Sequence, residues 1–156
     1  EFITILFFIL MFFGASAVST SGGIKIVRHV VLLKNSYIEL KKQLHQQGVF
    51  ILRFNNSKVP QRVVTNILAF MMLYVVIFSI GSVIMTLMGV DFITAIGSVA
   101  ATLGNIGPGI GDVGPASNFS SIPDAGKYFL SLLMLIGRLE LLTFLLILTP
   151  AFWKFN

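Results

Sequence analysis

From Val63 to Val90 the chain runs 28 residues without a charged side chain. As an α-helix that stretch would rise about 42 Å, enough to cross a hydrocarbon layer of roughly 30 Å with some tilt. Three more uncharged stretches flank it, at 2–24, at 92–111, and at 128–153 apart from Arg138 and Glu140. Only 11% of the residues are charged, under half of the roughly 25% usual in soluble domains. With 15 Phe and a mean hydropathy of +0.93, the chain reads as an all-α integral membrane protein. The absence of cysteine removes disulfide scaffolds, thiolate metal sites and thiol nucleophiles together.

The charges that remain are sorted by sign. Lys25, Arg28, Lys34, Lys41, Lys42, Arg53, Lys58 and Arg62 face only Glu39, so residues 25–62 carry +7. Residues 90–127 hold Asp91, Asp112 and Asp124 against Lys127, giving −2. Positive charge collects on the cytoplasmic side of membrane proteins, so 25–62 is expected inside and 108–123 outside. Residues 63–90 then run outward and 124–153 run back, leaving the C-terminus, with Trp153 and Lys154, in the cytoplasm. A nucleic-acid partner is not expected, because the basic run interleaves no exposed aromatics or recognition motif. Residues 1–24 imitate a signal peptide, but they open on Glu1 rather than on a basic segment. The missing initiator Met suggests a piece of something longer.

Two places interrupt the membrane pattern. Residues 14–23 (Gly14, Ala15, Ser16, Ala17, Val18, Ser19, Thr20, Ser21, Gly22, Gly23) hold three Gly and four hydroxyl residues, which favour an unwound turn. Such backbone survives in a bilayer only when buried in protein or lining water. It is either a broken helix beside a permeation path, or a packing seam or ordinary loop. The second interruption follows the apolar run 91–103, which is too short to span. There Gly104-Asn105-Ile106-Gly107-Pro108-Gly109-Ile110-Gly111 packs four Gly and a Pro into eight residues and cannot continue a helix. A half-length helix ending in glycine-rich backbone outlines a re-entrant pore loop, whose carbonyls replace the hydration shell of a cation. Thr102-Leu103-Gly104-Asn105 also resembles the Thr-Val-Gly-Tyr core of potassium-channel filters. The plain alternative is an extracellular glycine-rich turn.

Arg138 is a third anomaly, about 21 Å along a helix that begins near Asp124 and so close to mid-bilayer. A charge there must face protein or water. Glu140, two positions on, lies on another face of the helix. Arg138 is therefore either half of an ion pair with another helix or a charge set beside a cation path. No catalytic residue emerges. His29 and His45 fit no metal-ligand or triad spacing, and the carboxylates are scattered.

In order, Gly14 to Lys25, Ala101 to Gly109, Gly137 to Thr143 and Thr149 to Trp153 resemble the C-terminal part of the membrane subunit of Trk-type potassium uptake proteins, in the Trk/Ktr/HKT superfamily. The resemblance implies a potassium-channel-like fold of four helix–pore-loop–helix repeats around one pore. Residues 1–45 would be the second helix of the third repeat, broken at 14–23, and 46–62 a basic cytoplasmic connector. Residues 63–156 would be the fourth repeat, with a span at 63–90, pore helix at 91–103, filter and turn at 104–111 and span at 124–153. It further implies a K⁺ selectivity filter at Thr102, Leu103, Gly104 and Asn105. An intramembrane gate loop at Gly14, Ala15, Ser16, Ser19, Thr20, Ser21, Gly22 and Gly23 and a pore-facing Arg138 complete the expectation. Potassium would be the transported ion, with no cofactor, no metal beyond it and a bacterial inner-membrane location. The partners implied are the remaining repeats in a homodimer, a cytoplasmic nucleotide-binding regulatory protein that docks on 25–62, and the lipid bilayer. Other readings of the same residues are a small structural or assembly membrane protein and a broken-helix secondary transporter.

Overall fold

The computed structural model describes residues 2–14, 23–45, 48, 50–55 and 57–139. Helix α1 spans Phe2–Met11 and α2 spans Ile26–Leu44. A minimal antiparallel hairpin follows, β1 at Arg53–Phe54 and β2 at Ser57–Lys58, pairing Phe54 with Ser57. Asn55 turns it in the left-handed region at φ 48°, a conformation that Asn tolerates. Helix α3 covers Gln61–Leu87, α4 Phe92–Leu103 and α5 Asp124–Arg138. Two single 3-10 turns, Gly111–Val113 and Phe119–Ser121, lie between α4 and α5.

Helix α3 starts behind Pro60, which has no N–H to leave unpaired, and stops before Gly89, whose φ is +86°. Its 27 residues rise about 40 Å. Only 28% of its most apolar window is buried, unlike the core helix of a soluble protein. Its serine and threonine hydroxyls bond within the helix: Ser79 donates to the Val75 carbonyl, Ser82 to Phe78 and Thr86 to Ser82 at 2.8–2.9 Å, and Thr65 to Gln61 at 3.1 Å. That removes the cost of bare polar groups in an apolar setting.

Helix α4 is the opposite case. Thr94, Ala95 and then every residue from Gly97 to Leu103 are buried. It is held between α3 and α5. Tyr74 and Met85 of α3, Val99 and Leu103 of α4, and Leu130, Leu133 and Ile136 of α5 share one core. Helix α5 buries Gly126, Leu130, Leu133, Ile136 and Gly137, a single stripe at helical spacing. Gly81 keeps α3 close to both partners, since a methyl there would sit 3.2 Å from Val99 and 3.3 Å from Leu133.

A second, smaller cluster joins Val31 of α2 to Leu52 and Val64, with Phe54 and Val59 beside it. It folds the basic connector against α2 and α3. Aromatic residues near this cluster also receive cations: Arg28 lies 3.9 Å above the Phe70 ring, and Lys34 lies 5.5 Å from that of Phe54.

Candidate functional site

The Asp91 carboxylate accepts from the Ile93 N–H at 3.1 Å and caps the start of α4. At its other end the helix closes in a Schellman motif: Ile106 N–H bonds the Ala101 carbonyl at 2.9 Å, and Asn105 N–H bonds that of Thr102 at 3.1 Å. Gly104 is still right-handed, and Asn105, at φ 54°, supplies the left-handed residue that such an ending needs. From there the chain doubles back along the helix it has just left.

The return depends on glycine on both surfaces. A methyl on Gly97 of α4 would lie 2.6 Å from the Ile110 carbonyl oxygen and 2.7 Å from its nitrogen. On the return, a methyl on Gly109 would lie 3.0 Å from the Gly97 oxygen. Gly111 has φ +75° and abuts Thr94, whose hydroxyl accepts from the Asp112 N–H at 3.1 Å. Residues 104 to 112 therefore climb from the end of α4 back to its first turn. Along this return Ile106, Gly107 and Pro108 are exposed, Asn105 is half-buried and Gly109 is buried. Gly107 has φ +107° and faces open space. A cleft of ≈ 450 Å³ separates this side from α1, lined by Ile3, Phe7, Met11, Ile106 and Pro108 among others.

The four residues expected at a filter are not equivalent. Thr102 and Leu103 are the buried last turn of α4, and the Thr102 hydroxyl folds back on the Ser98 carbonyl at 2.8 Å. The Thr102 carbonyl is taken by Asn105, and that of Leu103 faces Gly137, where a methyl would run into it. The Gly104 carbonyl faces Gly23, where a methyl would come within 3.3 Å. Nothing in the order of Thr, Leu, Gly and Asn distinguishes the helical residues from those beyond the helix.

Of the expected gate loop, Gly14 and Gly23 are described, whereas Ala15, Ser16, Ser19, Thr20, Ser21 and Gly22 lie outside the described residues. The two ends meet: Gly14 N–H donates to the Ile24 carbonyl at 2.9 Å, and Ile24 is buried in the main core. Gly23, at φ +79°, rests on Gly104. Arg138 is exposed at the end of α5, next to Gly137 and hence at the level of the end of α4. Glu140, Trp153 and Lys154 are outside the described residues. Among the described residues no group of His, Asp or Glu is placed to hold a metal ion. His29 instead stacks on Phe13, 4.8 Å between centroids.

Thr94 and Gly97 also shape the site, and residue type alone gave neither a role; Gly107 lay within the expected glycine-rich turn, and Gly137 stood out only for the family resemblance. The available signal was a glycine inside a helical pattern, as at Gly97, which marks a close backbone approach.

An apolar helix packed on a half-length helix and its returning backbone defines an all-α membrane transporter fold. The chain belongs to the TrkH family of cation transport proteins, whose family model matches residues 1–154. It is 40% identical over 149 residues to the Trk system potassium uptake protein TrkI of Halomonas elongata, covering 95% of this chain and 30% of that protein. It is 38% identical over 153 residues to the TrkH potassium uptake protein of Vibrio parahaemolyticus, covering 98% of this chain and 31% of that protein. The crystal structure of the potassium transporter TrkH from Vibrio parahaemolyticus matches with a TM-score of 0.89 over 98% of this chain and 32% of that one. The chain thus spans 30–32% of the length of these relatives.

Proposed function

We propose that the chain works in potassium uptake across a bacterial cell membrane, as the C-terminal part of a Trk-type transporter subunit that selects K⁺ through backbone carbonyls. The observation that carries this reading is the return of residues 104–112 along α4, with Ile106, Gly107 and Pro108 on the open side. Kinship with potassium uptake proteins supplies the ion. In this reading α3, α4 with its return, and α5 form one helix–pore-loop–helix repeat, and the open side faces the remaining repeats around a shared axis. Asn105 to Pro108 present the carbonyls, while Thr102, Leu103 and Gly104 form the base that sets their height. A potassium ion shedding water needs several such oxygens at once, and glycine lets them be aimed together.

Residues 14–23, of which Gly23 rests on Gly104, form the gate beneath this filter. Arg138, beside Gly137 at the end of the pore helix, is the electrostatic barrier in the pathway. Residues 25–62 lie in the cytoplasm and 108–123 outside, following the charge asymmetry. Residues 25–62, where Val31 and Leu52 pack with Val64, are the docking face for a nucleotide-binding regulatory protein on a homodimeric transporter.

The test is ion flux through the full-length transporter in liposomes. Gly107→Ala adds a methyl on the open side in a backbone region that side chains resist, and it lowers the K⁺-over-Na⁺ flux ratio severalfold. Arg138→Ala raises total flux. A wild-type ratio in the Gly107 variant would sink the filter assignment.

A further inference from the structure

Beyond its left-handed backbone, Asn105 makes a second, independent connection. Its side-chain Nδ2 donates to the Met134 carbonyl of α5 at 3.1 Å, 29 residues away in sequence. One helical turn further along α5, Gly137 leaves a notch into which the end of α4 fits. A methyl on Gly137 would run into the Leu103 carbonyl and lie 2.9 Å from the same Nδ2. The amide and the notch therefore grip the same spot, the point where α4 ends and the exposed return begins.

We propose that the Asn105 amide and the Gly137 notch form a strut that holds the start of the return at a set distance from α5, and that this strut helps to determine which cation passes. This inference rests on reading the return as a filter. Carbonyls distinguish two monovalent cations through the spacing and number of oxygens they present together. Residues 106–108 are exposed, so the strut is their nearest fixed support on the side of α5. Thr94 plays the corresponding part at the far end, through the Asp112 N–H. Asn105 and Gly137 act here as positioning residues, Asn105 through its side chain and Gly137 through its lack of one. Because Gly137 immediately precedes Arg138, a shift of α5 that moves the arginine also pulls on the filter.

The two roles of Asn105 can be separated chemically. Asn105→Gly keeps the left-handed backbone and removes the amide. Asn105→Asp keeps the shape but sets a carboxylate oxygen, which cannot donate, against the Met134 carbonyl. The experiment measures K⁺ and Na⁺ flux ratios of the full-length transporter in liposomes for Asn105→Gly, Asn105→Asp, Gly137→Ala and the Asn105→Gly/Gly137→Ala pair, with Gly107→Ala alongside. Asn105→Gly should lower the K⁺-over-Na⁺ ratio about fivefold, the size of one lost hydrogen bond. Asn105→Asp should lower it further. Gly137→Ala, a change outside the filter, should shift the ratio in the same direction, and the pair should fall short of the product of the two singles.

A merely structural role would reduce the amount of folded transporter at an unchanged ratio, and that result overturns the proposal. If Gly137→Ala fails to assemble, Asn105→Gly decides alone, because it adds no atoms. A normal ratio in Asn105→Gly beside a lowered ratio in Gly107→Ala removes the strut and leaves the filter reading intact. Normal ratios in both remove the filter reading and the strut with it.

Discussion

The two glycine-rich interruptions have similar compositions, but the glycines described in each serve different ends. At the first, one backbone hydrogen bond, from the Gly14 N–H to the Ile24 carbonyl, pins its two described ends together. The second is laid along a helix: Gly97 on α4 and Gly109 and Gly111 on the return remove the side chains that would hold the two backbones apart. Glycine thus serves mainly conformation at Gly23 and mainly close approach at Gly97. The two interruptions touch where Gly23 meets Gly104, so the end of α4 is gripped from one side by the first break and from the other by α5.

The largest expected effect comes from filling the close approach. Gly97→Val sets a branched side chain on the Ile110 backbone, which cannot yield as a flexible side chain would. It should destabilise the protein by ~3 kcal/mol or more and abolish uptake. Thermal unfolding of the purified full-length transporter reads this, and wild-type stability would show that the return is not laid on α4. Gly23→Ala should cost less, ~1–2 kcal/mol for a residue forced into the left-handed region. Its methyl also presses the Gly104 oxygen at 3.3 Å, so uptake kinetics should change while the protein stays folded. A fully neutral Gly23→Ala would mean that the contact of Gly23 with Gly104 has no bearing on uptake. The smallest effect is at Asp91→Ala, which removes only the cap of α4 and should cost about 1 kcal/mol. Faster hydrogen exchange at the Ile93 amide, with the return otherwise protected, is the measurement.

Much of this was legible without coordinates. The uncharged run at 63–90 anticipates α3, which begins two residues earlier because Pro60 caps it and ends three earlier because Gly89 turns the chain. The apolar run at 91–103 anticipates α4 to within a residue, with Asp91 as its cap. The short hairpin at 53–58 was not anticipated. Its strands are two residues each, too short for alternation to register, and the only turn signal was the short run Asn55-Asn56-Ser57. The position of Thr102 and Leu103 was equally obscure. A four-residue likeness to a channel filter cannot tell a helix's last turn from the backbone beyond it. The ending is decided by Asn105 taking the left-handed position, one residue after the glycine.

The sequence by itself determined the class of chain, an apolar all-α membrane protein with a concentrated basic segment, and the places where its helices stop. These are local or compositional properties: hydropathy over a span, the sign of charge in a loop, the backbone freedom of glycine. Tertiary structure alone decided what each stop is for. That Gly97 faces Ile110, that Gly137 receives Leu103, and that the Asn105 amide reaches Met134 are contacts between segments 13 to 34 residues apart. Such contacts arise from how α3, α4 and α5 pack together, and no local pattern of residues encodes which glycine will meet which backbone.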